Sequence, residues 1–473
     1  MVMSNQEKTN ALQLIKCLEC NGYEAFLVGG CVRDSLHNTI HKSTLPTSVT
    51  VSDYDIATNA TLDEVATLFK NEPLDLVGKA FGIAIVRGIE IATFRKDTYE
   101  KRSKPSIEQV TDTFTDASRR DFTINALYQQ ENGTVVDYFD GVKDIKLKLI
   151  RCVGDAEERF NEHPIRILRA LYLASKLDYS IEYHTACAIR DNKHLLSEEP
   201  QELIGKVVLK ALSINSKVFR NFFTSVVEYG LLEYVFPAIA HLEGLEQNPM
   251  YHYTDALQHT ADVLVAASGK LYQNVGFLLG AVYHDNGKGH SEIRGVNAKG
   301  FPNDLGHEKF GVSRAYDDIV NKLYLGKAVA KKACLFVKYH GEQAVFSQKV
   351  HTQVKFARRV MREENLTREE FSVFIHELIE FVRCDLLAMN HLFARTQLER
   401  IPDAHANYDA MLADTEHHLC LRELPINGKD LVELGFSGPA IGKLLQKCLD
   451  YNLVTKESCL KLLKRENQFA TIT

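Results

Sequence analysis

The feature that most limits the fold is one change of periodicity near residue 155. Before it, short β-type runs alternate with helical patterns. After it, apolar residues recur at three- and four-residue spacing to the end of the chain. AFLVGG predicts a buried strand ending at a glycine turn, and VTVSDYDIAT predicts a second strand. IAIVRG and IEIATFRK supply a third and fourth, and Val135 to Tyr138 a shorter one. Helices are predicted over Thr9 to Asn21 and Leu62 to Phe69. The Gly, Asn and Pro content of Ser291 to Gly306 predicts a loop inside the helical part. The expected fold class is α+β, a small mixed β-sheet head followed by a long all-α body.

At 473 residues the chain exceeds what one hydrophobic core supports, so two to four domains are expected. A 45% hydrophobic and 25% charged composition is that of a globular protein and excludes a disordered chain. No apolar run reaches the length of a membrane span, and VGFLLGAVY has the length of a buried helix. The first residues lack the basic-then-apolar layout of a signal, so a cytosolic location without membrane partners is expected. Ten cysteines without dense spacing fit reduced thiols, and Cys17-x-x-Cys20 has no second pair with which to hold zinc. The net charge of −6 excludes a protein that is basic all over, but charge can be segregated. Lys331, Lys332, Lys338, Lys349, Lys355, Arg358, Arg359 and Arg362 form either a phosphate-tracking surface or a solvated helical face.

Four short signatures follow one another in the first 170 residues: LVGGCVRD, DYDIAT, RRDFTINA and EHPIRILRA. Gly29 and Gly30 end a strand at a turn into a helix begun by Val32-Arg33-Asp34. Missing side chains there let the backbone approach a triphosphate, and a helix N-terminus favours anions. Asp53 and Asp55, two apart on a predicted strand, share one face roughly 7 Å apart at the backbone and make a natural Mg²⁺ site. Glu90, in the alternating run GIEIATF, is the best third carboxylate. Arg120 can fork onto phosphate or ribose oxygens, while Asp121 can cap the apolar helix predicted after it. Arg166 and Arg169 lie three apart on one helix face and are expected to point at the same ligand. In the helical part, GAVYHDNGKG predicts an apolar helix that presents His284 and Asp285 as metal ligands at its C-terminal end. No GxGxxG follows a strand, and Gly438-x-x-x-Gly442-Lys443 lacks the spacing and hydroxyl of a P-loop.

On these signatures the chain resembles the class II tRNA nucleotidyltransferases, that is, CCA-adding enzymes and bacterial poly(A) polymerases. The resemblance runs down to the tail INGKDLVELGFSGPAIGKLL. It implies that Gly29, Gly30 and Arg33 bind the triphosphate, Asp53 and Asp55 hold Mg²⁺, and Arg120, Arg166 and Arg169 contact the nucleotide. The implied activity is template-independent addition of C, C and A, from CTP and ATP, to the 3′ acceptor end of tRNA. The implied domains are a head (1–150), a neck (151–245), an HD domain (246–395) and a tail (396–473). The segment from Lys96 to Phe114 looks like the family's flexible loop.

Two departures stand out. In the family the last motif reads EDPxR followed by LRxxRF, and its Asp and Arg pair with the edge of the incoming base. Here His163 replaces that Asp and Tyr172 the final Arg. A carboxylate accepts from the exocyclic amine of C or A, whereas a neutral imidazole has one acceptor nitrogen and a charged one has none. Base selection is therefore expected to relax or to shift toward A, which leaves A addition or poly(A) synthesis as the alternative activity.

The HDNGK segment also resembles the HD phosphohydrolase superfamily. That implies His259, His284, Asp285 and Asp385 as ligands of a second divalent metal, with His307 and His340 as further candidates. Some members of the transferase family carry such a domain with phosphatase and phosphodiesterase activity. A phosphohydrolase whose head has lost transferase activity is thus the alternative from another class, and a non-catalytic RNA-binding protein is a third.

Overall fold

The computed structural model describes residues 2–42, 49–76, 82–269, 274–414 and 417–470. The chain divides into two compact units, Met1–Pro237 with Asp318–Leu325, and Ala238–Asp317 with Gly326–Thr473.

In the first unit the strands follow in chain order as β1 (Ala25–Val28), β2 (Asp55–Thr58), β3 (Leu74–Asp75), β4 (Ile83–Val86) and β5 (Ile89–Thr93). A hairpin of β6 (Arg95–Lys101) and β7 (Lys104–Gln109) comes next, then β8 (Leu127–Gln129) and β9 (Val135–Asp137). Seven strands make one mixed sheet in the order β3-β4-β5-β2-β1-β8-β9. Only β2 and β5 run parallel, with Ile56 opposite Ile91. All four residues of β1 are buried, as a central strand covered on both faces requires. Phe26, Val28, Ala57, Phe94, Ala126 and Tyr128 form the core beneath it.

Helices α1 (Val2–Cys20), α2 (Gly30–Ile40), α3 (Leu62–Leu68), α4 (Thr113–Ser118) and α5 (Gly141–Leu147) accompany the sheet. A capping box starts α3: Thr61 Oγ1 accepts from Glu64 N–H at 3.2 Å, and Thr61 N–H donates to Glu64 at 2.7 Å. Then come α6 (Ala156–Glu162) and α7 (Ile165–Leu177), which buries Ile167, Leu168, Leu171 and Leu177 and stops at Asp178 with φ +58°. Helices α8 (Tyr183–Asn192), α9 (Gln201–Ile214), α10 (Ser216–Glu228) and α11 (Leu232–Val235) complete the unit.

The second unit holds α12 (Ala256–Ser268), α13 (Val275–Tyr283), α14 (His307–Asp317), α15 (Lys327–Tyr339), α16 (Val350–Glu364) and α17 (Arg368–Ala388). Phe277, Phe336 and Phe381 lock α13, α15 and α17 together, with ring centroids 5.0–5.3 Å apart. Beyond them lie α18 (His391–Leu398), α19 (Ile401–Ala413), α20 (Gly428–Glu433), α21 (Pro439–Asp450) and α22 (Lys456–Ala470). Leu424, Ile426, Leu431, Cys448, Leu449 and Leu463 form a separate apolar cluster there.

The α+β class holds, with local corrections. The second predicted strand begins only at Asp55, and α1 starts seven residues before Thr9. Much of the segment from Lys96 to Phe114 pairs as the β6–β7 hairpin; polar residues on both of its faces hide its period-two pattern. The apolar run after Asp121 makes a single 3₁₀ turn (Thr123–Asn125) and then a strand. Ser291 to Gly306 contains a second hairpin, β12 (Arg294–Val296) with β13 (Pro302–Asp304), closed by Asn297 N–H donating to Phe301 O at 2.9 Å. A two-residue parallel pair, β10 (Leu149–Ile150) with β11 (Ser180–Ile181), also interrupts the helical part.

Candidate functional site

In the first unit the glycine turn sits over two guanidinium groups. Gly29, at φ +72°, starts α2; a Cβ there would stand 3.8 Å from Arg120 Nη1, and one at Gly30 would stand 3.6 Å from Arg33 Nη2. Arg33 is buried and donates to Asp34 Oδ1 at 2.7 Å and to Asn125 Oδ1 at 2.6 Å. Asn125 donates onward to Asp121 Oδ1 at 3.0 Å, and Asp121 Oδ2 accepts from Arg169 Nε at 2.8 Å. This chain of bonds ties the turn to α7. Burial alone would raise Asp121, but Arg169 and Asn125 hold it down at about 2. Arg120 is fixed by Tyr128 Oη at 3.0 Å and Asp116 Oδ2 at 3.1 Å, so its fork is pre-set before any anion arrives.

The acidic residues gather at the ends of the paired strands β2 and β5. The register that sets Ile56 opposite Ile91 places Asp55 beside Glu90. Asp53 stands outside the strand at φ +55°, a left-handed conformation that Asp tolerates better than most residues, so the expected pleat alternation is replaced by a turn. The three carboxylates still act on one another. Burial, followed by the charges of Glu90 and Asp53, lifts Asp55 to about 7. A carboxyl raised in this way fits a cation-binding cluster, because a bound cation removes the repulsion.

Helix α7 borders this cluster. Burial, with the charges of Asp34 and Asp53 and against the opposing charge of Arg33, sets the Tyr172 hydroxyl above its usual range, which places Tyr172 beside these groups. Arg166 and Arg169 engage different protein partners. Arg166 donates to Glu162 at 2.6 Å and to the Arg119 carbonyl at 2.9 Å, whereas Arg169 turns to Asp121. His163 precedes them, its Nδ1 3.1 Å from both Glu199 and Ser103.

The second unit assembles all six of its predicted ligands in two triads: His259, His284 and Asp385, and Asp285, His307 and His340. Each stands at or near a helix end, on α12, α13, α14, α15 or α17. Gly287 permits the close approach, since a Cβ there would come within 2.2 Å of the His307 carbonyl oxygen. Every one of the four histidines turns Nδ1 to a main-chain carbonyl, of Ala388, Ala281, Asp304 or Val337, at 2.9–3.4 Å. A carbonyl only accepts, so Nδ1 carries the proton and Nε2 is left to bind a metal. His259 Nε2 and Asp385 Oδ1 face each other at 2.9 Å, and with His284 Nε2 they are buried and directed inward, as ligands of a metal would be. Asp285 serves both triads, with Oδ2 3.3 Å from His284 and Oδ1 3.1 Å from His307. Burial opposes its charge, yet His284 and Lys288 hold it well below the carboxylate range. Burial and the neighbouring His284 and His307 push His340 down to about 4.

The basic stretch does not form one open surface. Lys332, Lys338 and Arg359 are engaged by Glu377, Glu364 and Glu342, and Arg358 by the His418 carbonyl and Asn452. Lys331, Lys349, Lys355 and Arg362 are exposed. Sequence reasoning missed Asp116, Asn125, Tyr128, Ser103 and Glu199. Asp116 had a signal, three and four residues before Arg119 and Arg120 on one helical turn; Glu199 had none.

A glycine turn backed by two guanidinium groups beside three carboxylates at the edge of a mixed sheet has the chemistry that a polyphosphate and divalent cations require. Residues 25–151 match the poly A polymerase head domain. Poly(A) polymerase I of Haemophilus influenzae is 34% identical over 247 residues, 49% of this chain and 52% of that one. The CCA-adding enzyme of Levilactobacillus brevis is 35% identical over 277 residues, 57% and 66% of the two chains. The match thus spans about half the length of the first relative. A crystal structure of the Bacillus stearothermophilus CCA-adding enzyme in complex with CTP covers 98% of both chains, with TM-score 0.52 and 21% identity, and so shares the fold. Residues 25–151 thus belong to the poly A polymerase head-domain family, and the similarity to CCA-adding enzymes and bacterial poly(A) polymerases extends beyond them. Among the described residues no helix is long and apolar enough to cross a membrane.

Proposed function

We propose that this chain adds C, C and A, from CTP and ATP, to the 3′ end of tRNA without a nucleic-acid template. The observation that carries the reading is Asp55, pressed by Glu90 and Asp53 into a cluster beside Arg120 and the glycine turn. Asp53, Asp55 and Glu90 would hold Mg²⁺, which when bound supplies charge neutralisation at the 3′-hydroxyl and the triphosphate. Gly29 and Gly30 leave room for the triphosphate, and Arg33 and Arg120 receive its charge in a geometry already fixed by Asn125 and Asp116. His163 and Arg166, with Arg169 and Tyr172, would meet the base. The head (1–150) would perform the transfer, the neck (151–245) recognise the nucleotide, and the remaining segments (246–395, 396–473) bind and extend along the RNA. Ten free thiols suit a reducing cytoplasm.

The two histidine-aspartate triads favour a second activity, hydrolysis of a phosphate ester in the HD segment. His259, His284, Asp285 and Asp385, with His307 and His340, would hold divalent metal there, which supplies a polarised water. Lys288, 2.7 Å from Asp285, brings a cation to the same place.

The test is a single-nucleotide-resolution gel of tRNA lacking CCA, beside tRNA ending in CC, with Mg²⁺, CTP and ATP. Three added nucleotides on the first substrate are expected. Extension of only the second, by one A, replaces the reading with A addition, and long A tails replace it with poly(A) synthesis. Asp55→Ala is expected to abolish addition and spare hydrolysis, and His284→Ala to do the reverse.

A further inference from the structure

His163 occupies the turn between α6 and α7, and two oxygens face its Nδ1. Glu199 Oε1 and Ser103 Oγ both lie 3.1 Å away. Ser103 Oγ spends its proton on the same Glu199 oxygen. Glu199 is buried; burial would raise its carboxyl, but hydrogen bonds with His163 and Ser103 hold it below the usual range. An ionised carboxylate has only lone pairs to offer, and a hydroxyl that has already donated offers only its own. Both neighbours are therefore acceptors, and Nδ1 carries the proton. Nε2 has no protein partner among the described residues, and the side chain is 28% exposed. In the neutral ring Nε2 is then a bare, partly exposed acceptor. From there α7 leads through Arg166 and Arg169 to Tyr172, beside Arg33 and Asp53.

Cytosine N4 and adenine N6 are donors at the position where uracil and guanine carry a carbonyl oxygen. We propose that Glu199, assisted by Ser103, is a positioning residue that locks His163 in the Nδ1–H tautomer, so that Nε2 accepts the amine shared by C and A and refuses U and G. The inference deepens the nucleotidyl-transfer reading and rests on it. It replaces the expectation of relaxed selection, because a tautomer-locked imidazole offers the one acceptor needed for both bases. It also ties base choice to the β6–β7 hairpin. Ser103 is at its tip, with φ +61°, and is seated by its N–H donating to Glu162 O at 2.8 Å.

Removing the carboxylate reverses the lock. In Glu199→Ala the Ser103 hydroxyl proton turns to Nδ1, and Nε2 becomes a donor. The experiment measures single-nucleotide incorporation of all four NTPs by wild type, Glu199→Ala and the double variant Glu199→Ala with His163→Asp. U and G incorporation relative to C and A is expected to rise about fivefold or more in Glu199→Ala, and to fall back in the double variant, where a carboxylate is again a fixed acceptor. A purely structural role for Glu199 would lower all four rates together and leave their ratios unchanged, and that result overturns the proposal. Should Glu199→Ala fail to fold, the imidazole ¹⁵N shifts of wild-type His163, assigned by difference against His163→Gln, give the tautomer directly; protonation at Nε2 overturns it. A wild-type chain that adds no nucleotide overturns the parent reading and this one together, whereas unchanged ratios in a wild type and variant that both add nucleotides overturn this one alone.

Discussion

His307 and His340 face each other through their Nε2 atoms at 3.3 Å, while both Nδ1 atoms donate to main-chain carbonyls. Two lone pairs at that distance repel unless a proton or a cation lies between them. Asp285 Oδ1, 3.1 Å from one and 3.8 Å from the other, completes a second set of ligands, which the other oxygen of the same carboxylate links to His284 of the first. The protein is accordingly expected to bind two Mn²⁺ ions in this unit, counted by mass spectrometry of the dialysed protein with Asp55→Asn present to remove the head site. His307→Ala should leave one ion and Asp285→Ala fewer than one. Saturation at about a hundred times Kd should stabilise the folded unit by about 2.7 kcal/mol per ion. A single ion in the parent protein would refute the two-triad arrangement.

Asp55 titrates near 7 because it is buried and because Glu90 and Asp53 lie beside it. Replacing it by Asn removes one charge from a cluster that repels itself. In chelator-treated protein Asp55→Asn should therefore melt at a higher temperature than wild type, and Mg²⁺ should stabilise it less. Nucleotide addition should fall at least about a hundredfold, as when an electrostatic stabiliser is removed from an active site. Calorimetry with and without Mg²⁺, alongside the extension gel, checks both. Retained addition by Asp55→Asn would take this residue out of the transfer site.

Much of the site was legible because its ligands come from short local signatures. LVGGCVRD gives the turn and Arg33 on adjacent elements, and HDNGK gives two ligands and the glycine that lets them approach α14. What stayed hidden depends on contacts distant in sequence. Glu199 meets His163 across 36 residues, and no spacing announces that. Asp53 was misplaced because a left-handed residue ahead of a strand looks, by alternation, like part of it. The hairpin at 95–109 was missed because its strands are polar on both faces, so the pairing lacks a hydrophobic pattern. Phe277, Phe336 and Phe381 pack the three helices at whose ends His284, His340 and Asp385 stand, a contact that no local signature announces.

Gly29 combines a positive φ with a position over Arg120. Alanine there meets no clash, its Cβ 3.8 Å from Nη1, but a backbone at φ +72° and ψ −130°, which glycine adopts readily and other residues do not, costs about 1–3 kcal/mol. The added methyl also covers the approach of phosphate to the guanidinium. Gly29→Ala should lower the melting temperature slightly and raise the KM for CTP and ATP more than it lowers kcat. Gly22→Ala is the control: its φ is +89° and nothing lies within 4 Å, so it should reproduce the stability loss and leave KM alone. Equal KM changes in both variants would remove Gly29 from nucleotide binding.

His37 gives the first unit a pH dependence of its own. It is 1% exposed, with Nδ1 2.7 Å from Tyr179 Oη and its ring 5.1 Å from that of His41. Burial first, and then the charge of His41, push it down to about 4. The unfolded imidazole titrates near ~6.5, so between those values the unfolded chain binds a proton that the folded chain does not. Unfolding free energy therefore rises with pH across that window: the contribution is complete above ~6.5 and is lost as the solution is acidified toward 4. His37→Gln keeps a polar partner for Tyr179 and does not titrate. Urea unfolding at pH 7.5 and pH 5.0 should show wild type losing about 1–2 kcal/mol more than His37→Gln on acidification. Equal losses in the two proteins would mean that the folded imidazole protonates as freely as the unfolded one, and the buried contact with Tyr179 would then have no part in acid sensitivity.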